Sequence, residues 1–182
     1  MARALEGGRL PPVHLWNPDN CGEIEMRISR DGTWYHEGRP ITRRRMVRLF
    51  STILRRDADG VHYLVTPAEK LAIQVDDAPF VAVEMTTHGA GEAQVLVFRT
   101  NVDDQVMAGP AHPIRLERAG ASDEPAPYVR VRDGLDALIA RPVFYDLVEL
   151  GVEAEVAGEA HLGVWSAGAF FPLAPMAELE DL

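Results

Sequence analysis

The feature that most constrains this chain is a short pattern that occurs twice at one fixed spacing. Arg30-Asp31-Gly32 recurs as Arg132-Asp133-Gly134, and Arg39-Pro40 recurs as Arg141-Pro142, in each case 102 residues later. Five identities fall among eleven aligned positions, where background composition predicts about one. Self-similarity at a fixed spacing is typical of repeated architecture, so the pattern predicts a duplicated structural unit. The alternative is that two similar hairpins selected the same turn-forming strings independently.

Both copies predict the same order of elements. In the first copy, residues 23–29 alternate apolar and polar side chains as half-buried strands do, and residues 33–36 form the returning strand. A helix follows with Thr42 as its N-cap and an apolar stripe that runs to Leu54. In the second copy, Pro142 occupies the first turn of a predicted helix. Further strands are predicted at 61–66, 71–75, 80–85, 95–100, 128–132, 135–140, 161–166 and 170–173.

The predicted fold class is α+β, with two related strand-rich halves that each carry one helix. The 182 residues are 47% hydrophobic, which is sufficient for one ordinary core or two small ones. Residues 101–127 are rich in Pro, Gly, Ala and Asp, so we place the boundary between the halves there. The predicted division is an N-terminal extension over residues 1–21, an N-terminal half over 22–105, and a C-terminal half over 106–182 that ends in an acidic tail.

Charge and composition exclude several classes of protein. A net charge of −10 argues against a protein that coats nucleic acid or an anionic membrane surface. Every apolar stretch is interrupted before the roughly 18 residues that a membrane span needs. The first residues lack the apolar run of a signal peptide, and Cys21 is the single cysteine, so we expect a cytoplasmic protein without disulfides. Catalytic strings such as Gly-x-Ser-x-Gly or a phosphate loop are absent, so we expect a non-catalytic protein, with no cofactor indicated.

Arginine is concentrated around the first predicted helix. Seven of the seventeen arginines lie between residues 39 and 56, and three of them occupy the predicted first turn. A helix N-terminus beside arginine side chains is suited to a phosphate group. The alternative is a solvated surface on which these arginines pair with carboxylates. The candidate phosphate-binding residues in the two halves are Arg44, Arg48, Arg130, Arg132 and Arg141.

Three aromatic side chains and two polar clusters complete the candidate ligand-binding residues. Trp34, Tyr63 and Trp165 lie on predicted strands and suit stacking on a planar ligand, although core packing is the favoured alternative. Asp76 and Asp77 are candidate metal ligands, but adjacent strand residues point to opposite faces, so a loop role is favoured. The polar residues after the strand at 61–66 are Thr66, Glu69 and Lys70, the last being the only lysine. Because ligand pockets form preferentially between domains, the predicted site is the seam between the two halves.

The chain also resembles a known bacterial family. The residues that carry the resemblance are Gly22 to Glu25, Arg30 to Trp34, Leu64 to Pro67, Val75 to Phe80, Tyr128 to Leu135 and Gly163 to Ser166. Together they resemble the family called domain of unknown function 1285, over about Gly22 to Leu173. The resemblance implies a duplicated core, a C-terminal half like a pleckstrin-homology barrel, and a nucleotide-type ligand near the seam, with a role in signalling. It implies no established activity.

Three functional hypotheses follow. The first is a sensing module in which the aromatic side chains stack a nucleotide-type ligand and the arginines bind its phosphates. The second is a protein-interaction scaffold that uses strand edges or the arginine-rich helix to bind a partner protein. The third is a metal-dependent enzyme that uses Asp76, Asp77 or Glu69.

Overall fold

The computed structural model describes residues 10–118 and 124–179 of the chain. The chain divides into two compact units, Met1–Asp76 and Asp77–Leu182. Both units are strand-rich and contain few helices, which confirms the predicted α+β class with two related halves. The predicted boundary after residue 105 is replaced by one after Asp76.

The N-terminal unit is a single six-stranded sheet with one helix. Its elements are a 3₁₀ turn (Val13–Leu15), β1 (Cys21–Ile28), β2 (Trp34–His36), β3 (Arg39–Pro40), α1 (Arg44–Thr52), β4 (Leu54–Arg56), β5 (His62–Val65) and β6 (Lys70–Val75). The strand order is β3-β2-β1-β6-β5-β4. Strands β1 and β6 are parallel, and the other neighbouring strands are antiparallel.

One face of this sheet forms the core of the N-terminal unit. Met26 and Ile28 of β1 are buried, whereas Arg27 between them lies on the opposite face and is half-buried, as the period-two pattern predicts. Trp34 of β2 is 1% exposed and stacks on Phe50 of α1 with ring centroids 6.2 Å apart. The helix therefore packs on the core face, and the other face, called the outer face below, carries the polar side chains.

The first helix is shorter than its apolar stripe predicts. Thr42 is not the N-cap, because the helix begins at Arg44 and its N-cap residue Arg43 makes no side-chain capping hydrogen bond. At the other end, Leu54 belongs to β4, where it pairs with Leu64 of β5. The helix ends at Thr52 because the following residues form sheet hydrogen bonds, including that from Val65 N to Ile53 O.

The C-terminal unit has two sheets. Its elements are β7 (Phe80–His88), a 3₁₀ turn (Gly91–Ala93), β8 (Val95–Thr100), β9 (Gln105–Met107), β10 (Ile114–Arg118), β11 (Pro125–Arg132), β12 (Leu135–Ile139), α2 (Arg141–Glu149), β13 (Val152–Val156), β14 (Glu159–Ser166), β15 (Ala169–Pro175) and α3 (Met176–Leu179). The six-stranded sheet has the order β10-β11-β12-β7-β8-β9, and the three-stranded sheet has the order β13-β14-β15. This curled two-sheet arrangement accords with the barrel-like half that the resemblance implies.

Residues 101–127 are therefore not an interdomain linker. The described part of this segment contributes β9, which pairs with β8, and β10, which pairs with β11. The preceding strand β7 pairs in parallel with β12 and so belongs to the same sheet. Asp103, Asp104, Gly109, Pro110 and Pro113 lie in the connections between these short strands, whereas Pro125 and Pro127 belong to β11 itself.

The predicted repeat corresponds to a repeated order of elements. In each unit an Arg-Asp-Gly string turns an antiparallel hairpin, and a nine-residue helix and three consecutive antiparallel strands follow. The second hairpin turns tightly, because Asp133 and Gly134 both have positive φ, as a type I′ turn requires. The units differ in sheet pairing, since β6 joins β1 in one sheet whereas β13, β14 and β15 form a separate sheet.

The helices of the described ranges are short. None of them has the length and apolar character that a membrane-spanning helix requires.

Candidate functional site

The parallel pairing of β1 and β6 is interrupted at its middle. Glu23 opposes Ala72 and Arg27 opposes Gln74, so three residues of β1 lie opposite the single residue Ile73 of β6. An irregularity of this kind bends the strand and opens the ladder locally. The regular pairing of the two central strands is thus disrupted at this point.

A groove of about 540 Å³ lies at this interruption. Its volume falls within the range of small-molecule sites, about 300–1,000 Å³. The lining residues come from β1, β2, β6 and the loops beside them: Glu23, Ile24, Glu25, Met26, Arg27, Tyr35, Gly38, Val61, Ala72, Ile73 and Gln74. The most buried of these side chains, Met26 and Ile73, are apolar, whereas Glu23, Glu25 and Gln74 are exposed. The groove therefore presents Arg27, Tyr35, Ala72 and Gln74 on the outer face, while Met26 and Ile73 belong to the buried core face beneath it.

One wall of the groove is a linked set of polar and aromatic side chains on the outer face. Arg27 Nη1 donates a hydrogen bond of 2.6 Å to Asp76 Oδ2, and Gln74 Nε2 donates one of 3.1 Å to Asp76 Oδ1. The Arg27 guanidinium also lies 4.9 Å from the ring centroid of Tyr35, its cross-strand neighbour. These contacts hold the Tyr35 ring at the groove without using its hydroxyl group.

A second polar cluster lies on β5, β6 and the loop after β4. Lys70 Nζ donates to Asp57 Oδ2 at 3.0 Å and lies 4.4 Å from the ring centroid of Tyr63. The Tyr63 hydroxyl donates to Asp59 Oδ2 at 2.7 Å. The hydrogen bond to Asp57 raises the pKa of Lys70, and the one to Asp59 raises the pKa of Tyr63. Lys70 and Tyr63, two of the predicted ligand-binding residues, therefore lie side by side. Each is already hydrogen-bonded to an Asp side chain of this chain.

Arg55 attaches the segment before β1 to this cluster. Its Nη1 donates to the carbonyl oxygens of Val13 and Trp16, both at 2.7 Å, while its Nε donates to Asp57 at 2.6 Å. The described part of the predicted N-terminal extension is thus fastened to the sheet by backbone acceptors.

Thr66 and Glu69 build a turn. The amide nitrogens of Ala68 and Glu69 donate to Thr66 Oγ1 at 3.3 and 3.1 Å, and Thr66 N donates to Glu69 O at 2.9 Å. Hydroxyl and backbone groups used in this way form a local turn between two strands. Their role in the described structure is to direct the chain into Lys70 at the start of β6.

Asp76 and Asp77 do not act as a pair. Asp76 accepts hydrogen bonds from Arg27 and Gln74 in the N-terminal unit, whereas Asp77 Oδ1 accepts one of 2.6 Å from the Tyr128 hydroxyl in the C-terminal unit. The backbone bends at both residues, which supports the loop role favoured from sequence. Within residues 10–118 and 124–179, His, Cys, Asp and Glu side chains form no group of three suited to a metal ion.

Trp34 has the core role that the sequence favoured, and the ligand-stacking role also considered for it is not supported. At 1% exposure its indole is a core side chain packed on Phe50, so no surface ligand reaches its ring. Trp165 is half-buried and lies against Phe170, with ring centroids 5.3 Å apart and planes at 59°. Of the three predicted aromatic residues, Tyr63 is the one that lies on the outer face of the N-terminal sheet, across β6 from the groove.

The predicted phosphate-binding arginines are distributed over both units. Arg44 is exposed at the start of α1 and Arg48 is half-buried in its middle, while Arg141 is exposed at the start of α2. Arg130 Nε donates to Asp136 Oδ1 at 2.6 Å, and Arg132 Nη1 donates to Asp104 Oδ2 at 2.7 Å. In the C-terminal unit, carboxylates thus already occupy the guanidinium groups of Arg130 and Arg132.

Sequence reasoning missed the groove residues Glu25, Arg27, Tyr35 and Gln74. The alternating pattern of β1 did contain a signal, because it assigned Glu25 and Arg27 to the face opposite Met26 and Ile28. The opening itself depends on the pairing of β1 with a strand that is distant in sequence, and no local pattern encodes it.

Family models match almost the whole chain. The model described as "Domain of unknown function (DUF1285), N-terminal domain" matches residues 11–78. The model described as "Protein of unknown function (DUF1285), C-terminal domain" matches residues 79–173. The chain belongs to this family. The junction of the two models falls within two residues of the division between the compact units, and the resemblance seen in the sequence is confirmed.

Two crystal structures of DUF1285 family proteins are similar to this chain. The protein from Silicibacter pomeroyi DSS-3 is 53% identical, with a TM-score of 0.87, over 98% of this chain and 94% of that chain. The protein from Shewanella baltica OS155 is 24% identical, with a TM-score of 0.54, over 70% of this chain and 92% of that chain, and shows the fold alone. No curated protein matches the sequence.

Proposed function

We propose that this DUF1285 protein is a non-catalytic sensing module that binds a nucleotide-type small molecule by its base in the groove between β1 and β6. The observation that carries the proposal is a groove of about 540 Å³ at the interruption of the parallel pair, with the Tyr35 ring and hydrogen-bonding side chains in its lining. The proposal concerns the N-terminal unit alone, rather than the seam expected from the repeat.

The lining chemistry suits the base of such a ligand better than its phosphates. A planar ring can stack on the half-buried Tyr35 ring, an interaction worth about 1–3 kcal/mol per base. Glu23, Glu25 and the Gln74 side chain offer acceptors for exocyclic amino groups at the opening. Among the described residues of the lining, Arg27 is the one cation, and its ion pair with Asp76 already uses its charge. We therefore expect nucleosides to bind at least as well as their phosphorylated forms.

A thermal-shift assay with nucleosides and nucleoside monophosphates at about 1 mM tests this proposal. Ligand at 100 times its Kd adds about 2.7 kcal/mol to the free energy of unfolding, and this raises the Tm by several degrees in a protein of this size. At least one nucleoside is expected to produce such a shift. A flat response across the whole panel would contradict the proposal.

Two variants test whether the ligand binds in the groove. Tyr35→Ala removes the stacking surface and Ala72→Leu fills the groove, so each is expected to abolish the shift. Met107→Ala is the control, because Met107 is an exposed apolar side chain on β9, outside the groove and on neither helix. A shift that survives Tyr35→Ala and Ala72→Leu would place the ligand elsewhere.

The second candidate function is a protein-interaction module. It is favoured by the large apolar side chains that both helices expose, which include Leu49 of α1 and Tyr145 of α2. For either function we propose a reducing, cytoplasmic location, since Cys21 is the single cysteine and is exposed as a free thiol.

A further inference from the structure

Opposite charges are concentrated in two separate parts of this chain. Residues 39–56 contain seven arginines and no carboxylate. After Arg141 the sequence contains eight Asp and Glu residues and neither lysine nor arginine. Segregation of this kind predicts attraction between surfaces of opposite sign rather than a uniformly repulsive acidic surface.

The basic segment includes an exposed apolar surface on α1. Leu49 is 62% exposed and Met46 is 38% exposed, and they lie three positions apart on the helix. Arg45 is exposed beside them, and Arg48 precedes Leu49. We call Arg45, Met46, Arg48 and Leu49 the basic helix face. Next to Met46 on the helix, Phe50 turns towards the core and packs against Trp34.

The acidic segment includes a matching surface on α2 and the start of β13. Tyr145, Val148 and Val152 are 59%, 36% and 41% exposed. Asp146 and Glu149 on the helix are exposed beside them, while Glu153 is exposed on the strand face opposite Val152. We call Tyr145, Asp146, Val148, Glu149 and Val152 the acidic helix face. The basic helix face thus combines exposed apolar side chains with arginines. The acidic helix face combines them with carboxylates, and the exposed Arg141 lies one turn before Tyr145.

We propose that the basic helix face of one copy of this chain docks on the acidic helix face of a second copy. Complementary charge selects this pairing, because two basic faces or two acidic faces would place like charges opposite each other. The contact joins different surfaces of the two partners, so each copy offers one basic and one acidic face to its neighbours. The proposal does not depend on ligand binding in the groove.

The test is sedimentation velocity of the full chain over about 5–500 μM protein, at low and at high salt. Concentration-dependent association at low salt, weakened by high salt, is expected. Arg45→Glu, Glu149→Arg and Leu49→Asp are each expected to weaken association at least tenfold. Glu92→Arg is the matched control, because it makes the same charge change as Glu149→Arg on the exposed 3₁₀ turn after β7 and should leave association unchanged.

Combining the reversals separates this contact from other modes of association. An equimolar mixture of the Arg45→Glu and Glu149→Arg proteins is expected to associate more strongly than either alone, since each supplies a native face to the other. The chain that carries both reversals is expected to recover self-association. A monomeric wild type across the whole range, or association that all three variants leave intact, would overturn the proposal. Loss of association without recovery in either combination would do the same, because it would not require opposite faces.

Discussion

At the scale of single residues, Asp136 shows how a buried carboxylate is kept charged in the C-terminal unit. The residue is 7% exposed, and its two carboxylate oxygens accept hydrogen bonds from Arg115 Nη2 at 2.7 Å and Arg130 Nε at 2.6 Å. Burial by itself raises the pKa of Asp136, but the hydrogen bonds from the two arginines outweigh burial and lower it. Arg115 also lies 5.4 Å from the ring centroid of Tyr128, so the ion pair is packed between strands β10, β11 and β12.

Replacing Asp136 by Asn should therefore be costly. The substitution removes the carboxylate charge that Arg115 and Arg130 share, and among the described residues only Arg115 keeps a second ion pair, with Glu117. We expect the free energy of unfolding at pH 7 to fall by about 3 kcal/mol. Urea denaturation measures the change. Glu84→Gln is the control, because Glu84 pairs with Arg99 at 2.7 Å but its side chain is 56% exposed, and loss of such a surface pair should cost less than about 1 kcal/mol. Equal decreases in the free energy of unfolding of the two variants would show that burial of the Asp136 ion pairs adds nothing to stability.

At the scale of secondary-structure elements, one hydroxyl group joins the two sheets of the C-terminal unit. Ser166, at the end of β14, is fully buried. Its Oγ accepts a hydrogen bond from Leu96 N at 2.9 Å and donates one to Ala108 O at 2.7 Å. Gln94 reinforces the junction, since its Nε2 donates to Trp165 O at 2.9 Å. The end of the three-stranded sheet is thereby held against β8 of the six-stranded sheet.

Ser166→Ala should loosen this junction. The variant leaves the Leu96 amide and the Ala108 carbonyl without these side-chain bonds in a buried place, so we expect a loss of about 2 kcal/mol in the free energy of unfolding. Hydrogen exchange should show reduced protection at Leu96 in particular. Thr52→Ala is the control: the Thr52 hydroxyl donates to Leu49 O within the same helix, so its removal leaves no buried group unpaired. If Ser166→Ala lowers the free energy of unfolding no more than Thr52→Ala does, the Ser166 hydrogen bonds contribute nothing to stability.

Elements were predictable where one chain segment carries the signal. The alternation around Met26 and Ile28 predicted β1 and its buried face, and the Arg-Asp-Gly strings predicted both hairpins. The apolar residues at helical spacing up to Leu54 predicted too long a helix, because Leu54 pairs with Leu64 in the sheet instead. The groove escaped prediction for a related reason. It arises from the register between β1 and β6, which is decided by tertiary pairing and not by either strand alone.

At the scale of the whole molecule, hydrogen-bonded carboxylates recur in both units. The Ser29 hydroxyl, the Arg55 guanidinium and the Tyr63 hydroxyl lower the pKa values of Asp31, Asp57 and Asp59, respectively. Asp136 adds a fourth lowered pKa in the C-terminal unit. In the opposite sense, the pKa values of Lys70 and Tyr63 are raised by their bonds to Asp57 and Asp59. The native state therefore favours charged carboxylates, a charged lysine and a neutral tyrosine at the same time.

These shifts fix the sign of the pH dependence of stability. A carboxylate with a lowered pKa contributes stability that is present above its unfolded pKa of about 4 and is lost as pH falls through its folded pKa. Lys70 and Tyr63 contribute stability that is present below their unfolded pKa values of about 10 and is lost as pH rises through their folded values. Stability should thus be nearly flat between about pH 5 and 9 and should fall on both sides of that window.

Thermal unfolding between about pH 2.5 and 11 measures how stability depends on pH. Two variants then assign the losses at acidic and alkaline pH to particular groups. Asp136→Asn should start lower at pH 7 but lose less stability on acidification, because the group that takes up the proton is gone. Tyr63→Phe should reduce the loss at alkaline pH and leave the loss at acidic pH almost unchanged, apart from the share that Asp59 contributes through the Tyr63 hydroxyl. A Tm that rises as the pH falls from 5 to 3 would contradict the assignment, since it would mean that the native state binds more protons than the unfolded chain.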